Sequence, residues 1–174
     1  MKRLEDYVVS IPNFPKEGII FRDVTSILQD PDGLQLSVHE MLKLLEGVEF
    51  DVVAGTEARG FLFGMPLSYL KHKAFIPIRK KGKLPRETVS KTYTLEYGTS
   101  TIEVHKDAIF PGQRVVLVDD LLATGGTAKA AAELIESLGG IVVKIIFAME
   151  LAGLKGREVL KGYDVDSCII YQGK

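Results

Sequence analysis

The chain has 174 residues, 46% of them hydrophobic, and a formal net charge of −1. That length suits one globular domain with a substantial core, and the near-neutral balance provides no overall basic surface for nucleic acid. The lone Cys168 excludes an intrachain disulfide framework and a cysteine-cluster metal site.

The opening stretch Met1–Asp6 lacks the apolar core of a signal peptide, and no segment approaches the ~20 apolar residues of a membrane span. The expectation is a cytoplasmic chain with neither a membrane nor a nucleic-acid partner. Pro12 to Ile27 is rich in Pro and Gly, with aromatic and apolar residues between them, and carries no sustained helical or strand periodicity. It reads as a packed arm. Val38, Met41, Leu42 and Leu45 share one face of a helix. Asp51–Gly55 is a short strand leading through Thr56–Gly60 into an apolar helix from about Phe61 to Leu70, and Phe75–Ile78 is the next strand. Arg79 opens a different region, with five cations in eight residues: Arg79, Lys80, Lys81, Lys83 and Arg86. Alternating stretches follow around Tyr93–Tyr97 and Thr101–His105, separated by Gly98-Thr99-Ser100. They read as a β-ribbon, either a plain surface hairpin or the cover of a site.

Val115–Val118 is an apolar run, expected as a strand buried on both faces, with Asp119 and Asp120 following at its carboxyl end. A small-residue loop, Ala123 to Thr127, leads into a helical stripe of Ala128, Ala131, Ala132, Ile135 and Leu138. The loop thus lies at a helix N-terminus, where free N–H groups and the positive dipole end favour a phosphate. Gly125 and Gly126 let an anion approach the backbone, and Thr124 and Thr127 add hydroxyls. Asp119 and Asp120 accept hydrogen bonds and suit paired sugar hydroxyls. Strand, glycine turn and helix also occur in α/β proteins that bind nothing there, and the acids are then simply solvated. Neither Gly-x-x-x-x-Gly-Lys-Ser/Thr nor Gly-x-Gly-x-x-Gly is present, which argues against a P-loop NTPase or a Rossmann dehydrogenase. Ile141–Met149 is a further strand, and Cys168 in an apolar terminal segment is expected as a buried structural thiol. The alternation of strands and helices predicts an α/β fold, a doubly wound, mainly parallel sheet flanked by helices. In such a sheet Thr56–Gly60 and Asp119–Thr127 lie on the same ligand-binding edge. His39, His72 and His105 read as structural or solvent-facing.

Val115–Thr127 resembles the 5-phosphoribosyl 1-diphosphate (PRPP) motif of type I phosphoribosyltransferases, and its Leu121–Thr127 version is similar to those acting on adenine. Phe14–Asp23, Ala58–Gly64, Arg79–Pro85 and Tyr93–Gly98 agree with that family in the same order. The resemblance implies a single domain over 1–174, with a hood at about 1–30, a flexible lid at about 79–107 and a PRPP-binding strand-loop-helix at 115–138. It implies the reaction adenine plus PRPP giving AMP plus pyrophosphate, with Mg²⁺ bound mainly through PRPP and pyrophosphate and no dedicated protein metal ligands. The 5′-phosphate is then expected at Ala123, Thr124, Gly125, Gly126 and Thr127, and the ribose hydroxyls at Asp119 and Asp120. Pyrophosphate is expected at Arg59, Arg79, Lys80, Lys83 and Tyr97, and adenine at Ile20, Phe21 and Arg22. Glu96 is the candidate for proton handling on the base, with Arg59 the other catalytic candidate. A homodimer is implied, with lid cations reaching the neighbouring subunit. Glu57-Ala58 departs from the aspartate-serine or related pair common before the family's arginine, so no serine hydroxyl is offered there. A phosphoribosyltransferase for another base and a PRPP-sensing regulator are the alternatives; the chain has no recognisable helix-turn-helix segment for the second.

Overall fold

The computed structural model describes residues 2–95 and 98–173. A short hairpin of β1 (Val9–Pro12) and β2 (Ile20–Asp23) precedes two helices, α1 (Thr25–Gln29) and α2 (Pro31–Lys43). Then β3 (Val52–Thr56), α3 (Arg59–Leu70) and β4 (Ala74–Lys80) form the first crossover unit. The ribbon β5 (Thr88–Thr94) and β6 (Thr99–His105) follows. The chain finishes with β7 (Arg114–Leu122), α4 (Gly126–Ser137), β8 (Ile141–Leu151), the single turn α5 (Gly156–Val159) and β9 (Val165–Tyr171). Among the described residues, seven strands join one sheet in the order β5-β6-β4-β3-β7-β8-β9. Its β4-β3-β7-β8-β9 part is parallel and the ribbon adds two antiparallel strands at one edge. The α/β, doubly wound, mainly parallel architecture is as expected.

The sheet's pleat sorts the core onto its two faces. Val115 and Leu117 of β7 point to the α4 side, where they join Ala54, Ile145, Ala131 and Ile135. Val116 and Val118 point the other way, to Phe63, Leu67, Met41 and Ile27 from the first three helices. A period of two within an all-apolar run is what a strand covered on both faces requires.

Several boundaries differ from those expected, each for a physical reason. The two acids lie inside β7, not after it: Asp119 is in register with Phe147, and pairing runs on to Leu122 opposite Glu150. The apolar run marked only the part of the strand under the helices. The arm holds regular structure after all, with Val9 opposite Asp23 and Pro12 opposite Ile20. All four residues of β1 are exposed, so no burial alternation could announce it. The stretch read as part of a helix from Val38 belongs to α2, which starts at Pro31, where Asp30 caps it by accepting from Asp32 N at 2.9 Å and Gly33 N at 3.1 Å. Its apolar face begins a turn later than the helix. Cys168 is half-buried rather than fully buried; burial, aided by the charges of Glu40 and Asp166, pushes its thiol up to about 12.

The Phe75 ring fixes how closely α3 lies on the sheet. A Cβ on Gly64 would stand 2.5 Å from Phe75 Cε2, and one on Gly55 2.8 Å from Phe75 Cζ. The ring is wedged between two glycines, with Phe61 edge-on to it at 5.6 Å. We expect Gly64→Ala to destabilise the fold by about 1–3 kcal/mol through overpacking. Urea denaturation checks this, and adding Phe75→Leu recovers part of the loss.

Candidate active site

Strand β7 hands the chain to α4 through Ala123–Gly125. Gly125 is the N-cap, at φ +83°, and no side chain caps the helix. The first turn of α4 carries no acidic residue, so its N–H groups and dipole are left for an outside anion. They face a cleft of about 360 Å³, lined by Glu57–Arg59, Lys80, Tyr93, Asp119–Ala128 and Phe147. Thr127 Oγ1 donates to the Tyr93 hydroxyl at 3.1 Å, bringing the ribbon to the loop.

The acidic pair is placed deep. Asp120 is 5% exposed, and its Oδ2 lies 2.8 Å from Arg59 Nε at the first turn of α3. The contact is an ion pair without an aligned hydrogen bond. Asp119 Oδ1 accepts the Asp120 N–H at 2.9 Å. Burial first, and then the Asp120 charge, push the Asp119 carboxyl well above the usual carboxylate range. Beneath it the Thr56 hydroxyl is buried without a hydrogen-bond partner. A Cβ on Gly60 would come within 3.0 Å of Asp119 Oδ1, Thr56 Oγ1 and the Val118 carbonyl, so glycine is what lets the second residue of α3 lie this close to them.

The Glu57–Ala58 peptide, which is cis, runs along the neighbouring wall. Glu57 accepts from Lys80 N at 2.6 Å and from Arg79 Nε at 2.9 Å. Burial opposes it, yet these partners hold the Glu57 carboxyl below its ordinary value. Among the described residues no group of three or more His, Cys, Asp or Glu is arranged to hold a metal ion.

The phosphoribosyl transferase domain family matches residues 23–173. The chain belongs to that family. It is 64% identical over its full length to the adenine phosphoribosyltransferase of Agathobacter rectalis, covering all of that protein. The crystal structure of adenine phosphoribosyltransferase from Thermoanaerobacter pseudethanolicus superposes with a TM-score of 0.92 at 55% identity, covering 97% of this chain and 98% of that one. The Saccharomyces cerevisiae enzyme, solved with an imino-altritol bisphosphate and adenine, gives 0.90 at 41% identity, covering 95% and 96%. The activity that goes with this membership is pentosyl transfer to adenine, a reaction of purine salvage.

In this phosphoribosyltransferase one cleft gathers Arg59, Lys80, Asp119, Asp120 and all of Ala123–Thr127. Arg79 and Lys83 do not line it: the Arg79 guanidinium is held by Glu57 and by the Lys83 carbonyl at 3.2 Å. Nor do Ile20, Phe21 and Arg22 line it; Phe21 lies edge-on to Phe14 at 5.3 Å, and the Arg22 guanidinium sits 4.3 Å over Tyr171. Glu96 and Tyr97 lie outside the described residues. Tyr93 and Thr56 are expected from the sequence only as parts of the ribbon and of the Thr56–Gly60 turn, with no role of their own at the site. Alternation along β5 was the available signal for Tyr93, because Lys91, two residues earlier, also meets α4 through Glu133 at 2.9 Å.

The raised Asp119 has a signed consequence. Its folded value exceeds the unfolded one of about 3.9, so the folded state binds the proton more tightly. The stability this confers is present below the unfolded value and is lost as pH rises through the folded one. Asp119→Asn should therefore melt higher than wild type at neutral pH, with the advantage shrinking toward pH 4. Thermal scans across that range check it; a pH-independent difference would contradict the buried neutral acid.

Proposed function

We propose that the cleft seats PRPP with its 5′-phosphate in the Ala123–Thr127 loop and its ribose hydroxyls on Asp119 and Asp120. The observation that carries this is the uncapped, glycine-built helix N-terminus beside two buried carboxylates in one cleft. N9 of adenine attacks C1′ of the ribose, the bond from C1′ to diphosphate breaks, and AMP and diphosphate leave. Positive charge grows on the sugar and negative charge on the leaving group, so catalysis is chiefly positioning and electrostatics. A sugar hydroxyl that hydrogen-bonds Asp120 competes with Arg59 for that carboxylate and frees the guanidinium to meet diphosphate. Lys80 stands across the same cleft.

Magnesium fits as a substrate-borne ion. Two acids and the unpartnered Thr56 hydroxyl fall short of a closed oxygen cage, and this cation commonly keeps water and phosphate ligands. When bound it would supply charge neutralisation at the diphosphate, and Asp119 and Asp120 are the residues that would hold it.

Ile20, Phe21 and Arg22 of β2 are proposed for the base, Glu96 for its imidazole proton and Tyr97 for the diphosphate. Arg79 and Lys83 do not line their own subunit's cleft, which favours action in a neighbour's. Helix α3 offers the surface for such a neighbour: Leu62, Met65, Leu70 and the 81%-exposed Tyr69 form an apolar face beside Arg59. We propose a homodimer on this face, in a cytoplasmic setting. Tyr69→Glu is expected to split it into monomers in sedimentation velocity; a wild type already monomeric at micromolar concentration would remove the idea.

A base panel tests the whole reading. With PRPP and Mg²⁺, adenine should exceed hypoxanthine and guanine by at least ~10³-fold in kcat/KM, because a reversed donor–acceptor pattern strands buried polar groups. Comparable values for the three bases would overturn the adenine placement. Arg59→Ala should weaken diphosphate binding and the reverse reaction, with little effect on adenine. Equal diphosphate affinity in variant and wild type would take Arg59 out of that subsite.

A further inference from the structure

The phosphate loop is shaped from behind as well as from in front. After β8 the chain turns through Ala152–Leu154 into α5, whose backbone presses on the loop. A Cβ on Gly125 would stand 2.7 Å from the Gly156 carbonyl oxygen and 3.2 Å from Val159 Cβ. In the other direction, a Cβ on Gly156 would collide with the Ala123 carbonyl oxygen and stand 2.7 Å from Leu122 Cδ1. Two glycines let two backbones touch, and the loop has no room to retreat toward α5.

One side chain ties down this backing segment. Arg157 Nε donates to both oxygens of Glu150, at 2.8 and 3.0 Å, and a terminal nitrogen donates to Oε2 at 2.8 Å. The other terminal nitrogen donates to the Val165 carbonyl at 2.6 Å. Glu150 is 3% exposed, and the Ser167 hydroxyl adds a hydrogen bond of 2.9 Å. A carboxylate so fully engaged by a planar fork fixes direction as well as distance. Glu150 is also the register partner of Leu122, the last residue of β7 before the loop. The pair therefore anchors the piece behind the loop to the strands that present it. Neither Gly156 nor Arg157 lines the cleft, and the transfer reaction makes no direct use of them.

We infer that Gly156 and the Arg157–Glu150 pair are positioning residues for the phosphate end of the site. They hold the back of the Ala123–Thr127 loop where its N–H groups converge on a phosphate. This rests on the proposed seat of the 5′-phosphate in that loop. It assigns the pair a selective effect, on the phosphorylated sugar and not on the base.

The experiment compares wild type with Gly156→Ala, Arg157→Gln and Arg157→Lys. It measures KM for PRPP and for adenine, calorimetric affinity for ribose 5-phosphate, and the melting temperature of the free protein. Gly156→Ala and Arg157→Gln should each raise KM for PRPP and weaken ribose 5-phosphate by about tenfold or more, with KM for adenine moving less than about twofold, since small misplacements of a binding group are costly. Arg157→Lys, which keeps the charge but not the fork, should recover part of the loss. Unchanged ribose 5-phosphate affinity in the folded variants overturns the inference. So does a rise of both KM values in step with a lowered melting temperature, the mark of a merely structural role. If Gly156→Ala does not fold, the two Arg157 variants decide by the same split. A wild type that turns over adenine but binds no ribose 5-phosphate would instead remove the phosphate seat itself, and the inference with it.

Discussion

Two adjacent carboxylates near the carboxyl end of β7 cannot both stay charged and dry without help. Removing a carboxylate from water is costly, and a like charge beside it adds to the cost. The structure divides the problem. Asp120 is paired with Arg59, while burial drives Asp119 toward its neutral form. Breaking such a pair by removing one partner leaves an uncompensated buried charge, so Arg59 serves the resting fold as well as the site. The same tension makes the place receptive: sugar hydroxyls would give both acids the donors that the protein itself supplies sparingly.

Sheet topology brings the remaining parts to the acids. Strands β4, β3 and β7 are neighbours and run parallel, so their carboxyl ends open onto one edge. From β4 comes Lys80, from β3 the Glu57–Arg59 turn, and from β7 the acids and the Ala123–Thr127 loop. The chain leaves β3 for β4 on one side and later places β7 on the other. This is the switch in strand order at which open α/β sheets bind ligands. Three sequence-distant segments therefore meet without any long loop having to reach.

Legibility in the sequence followed burial. The β7 run, the α4 stripe and the Thr56–Gly60 turn could be read because two-faced burial and helical spacing leave strong apolar patterns, and the loop's glycines have a conformational reason at Gly125. The β1–β2 hairpin was invisible because exposed strands need no pattern, and the first turn of α2 was hidden because its cap is polar. At the site, residue types pointed correctly to a shared edge for Arg59 and the acids. The pairing of Arg59 with Asp120, and the diversion of Arg79 to Glu57, depend on side-chain directions across the sheet that no one-dimensional spacing encodes. The Gly125–Gly156 contact is the extreme case, a backbone-on-backbone touch between residues 31 positions apart.

The ribbon touches α4 as well as the edge of the sheet. Strand β5 meets α4 through the Lys91–Glu133 ion pair at 2.9 Å and the Thr127–Tyr93 hydrogen bond at 3.1 Å. The first is a half-exposed pair, worth about 0–1 kcal/mol, and the second a single hydrogen bond of about 0.5–1.5 kcal/mol. Val89 and Tyr93 add only partly buried packing against the α4-side core. By contrast, β7 and its neighbours hold side chains with no exposed surface, such as Leu117 and Ile145. The ribbon is held to the sheet chiefly through β6, which pairs with β4 and buries Ile102 and Val104, and its contacts to α4 add little to that. The hydroxyl contact from β5 falls on Thr127 at the first turn of α4, so the edge of the sheet and the Ala123–Thr127 loop share one hydrogen bond.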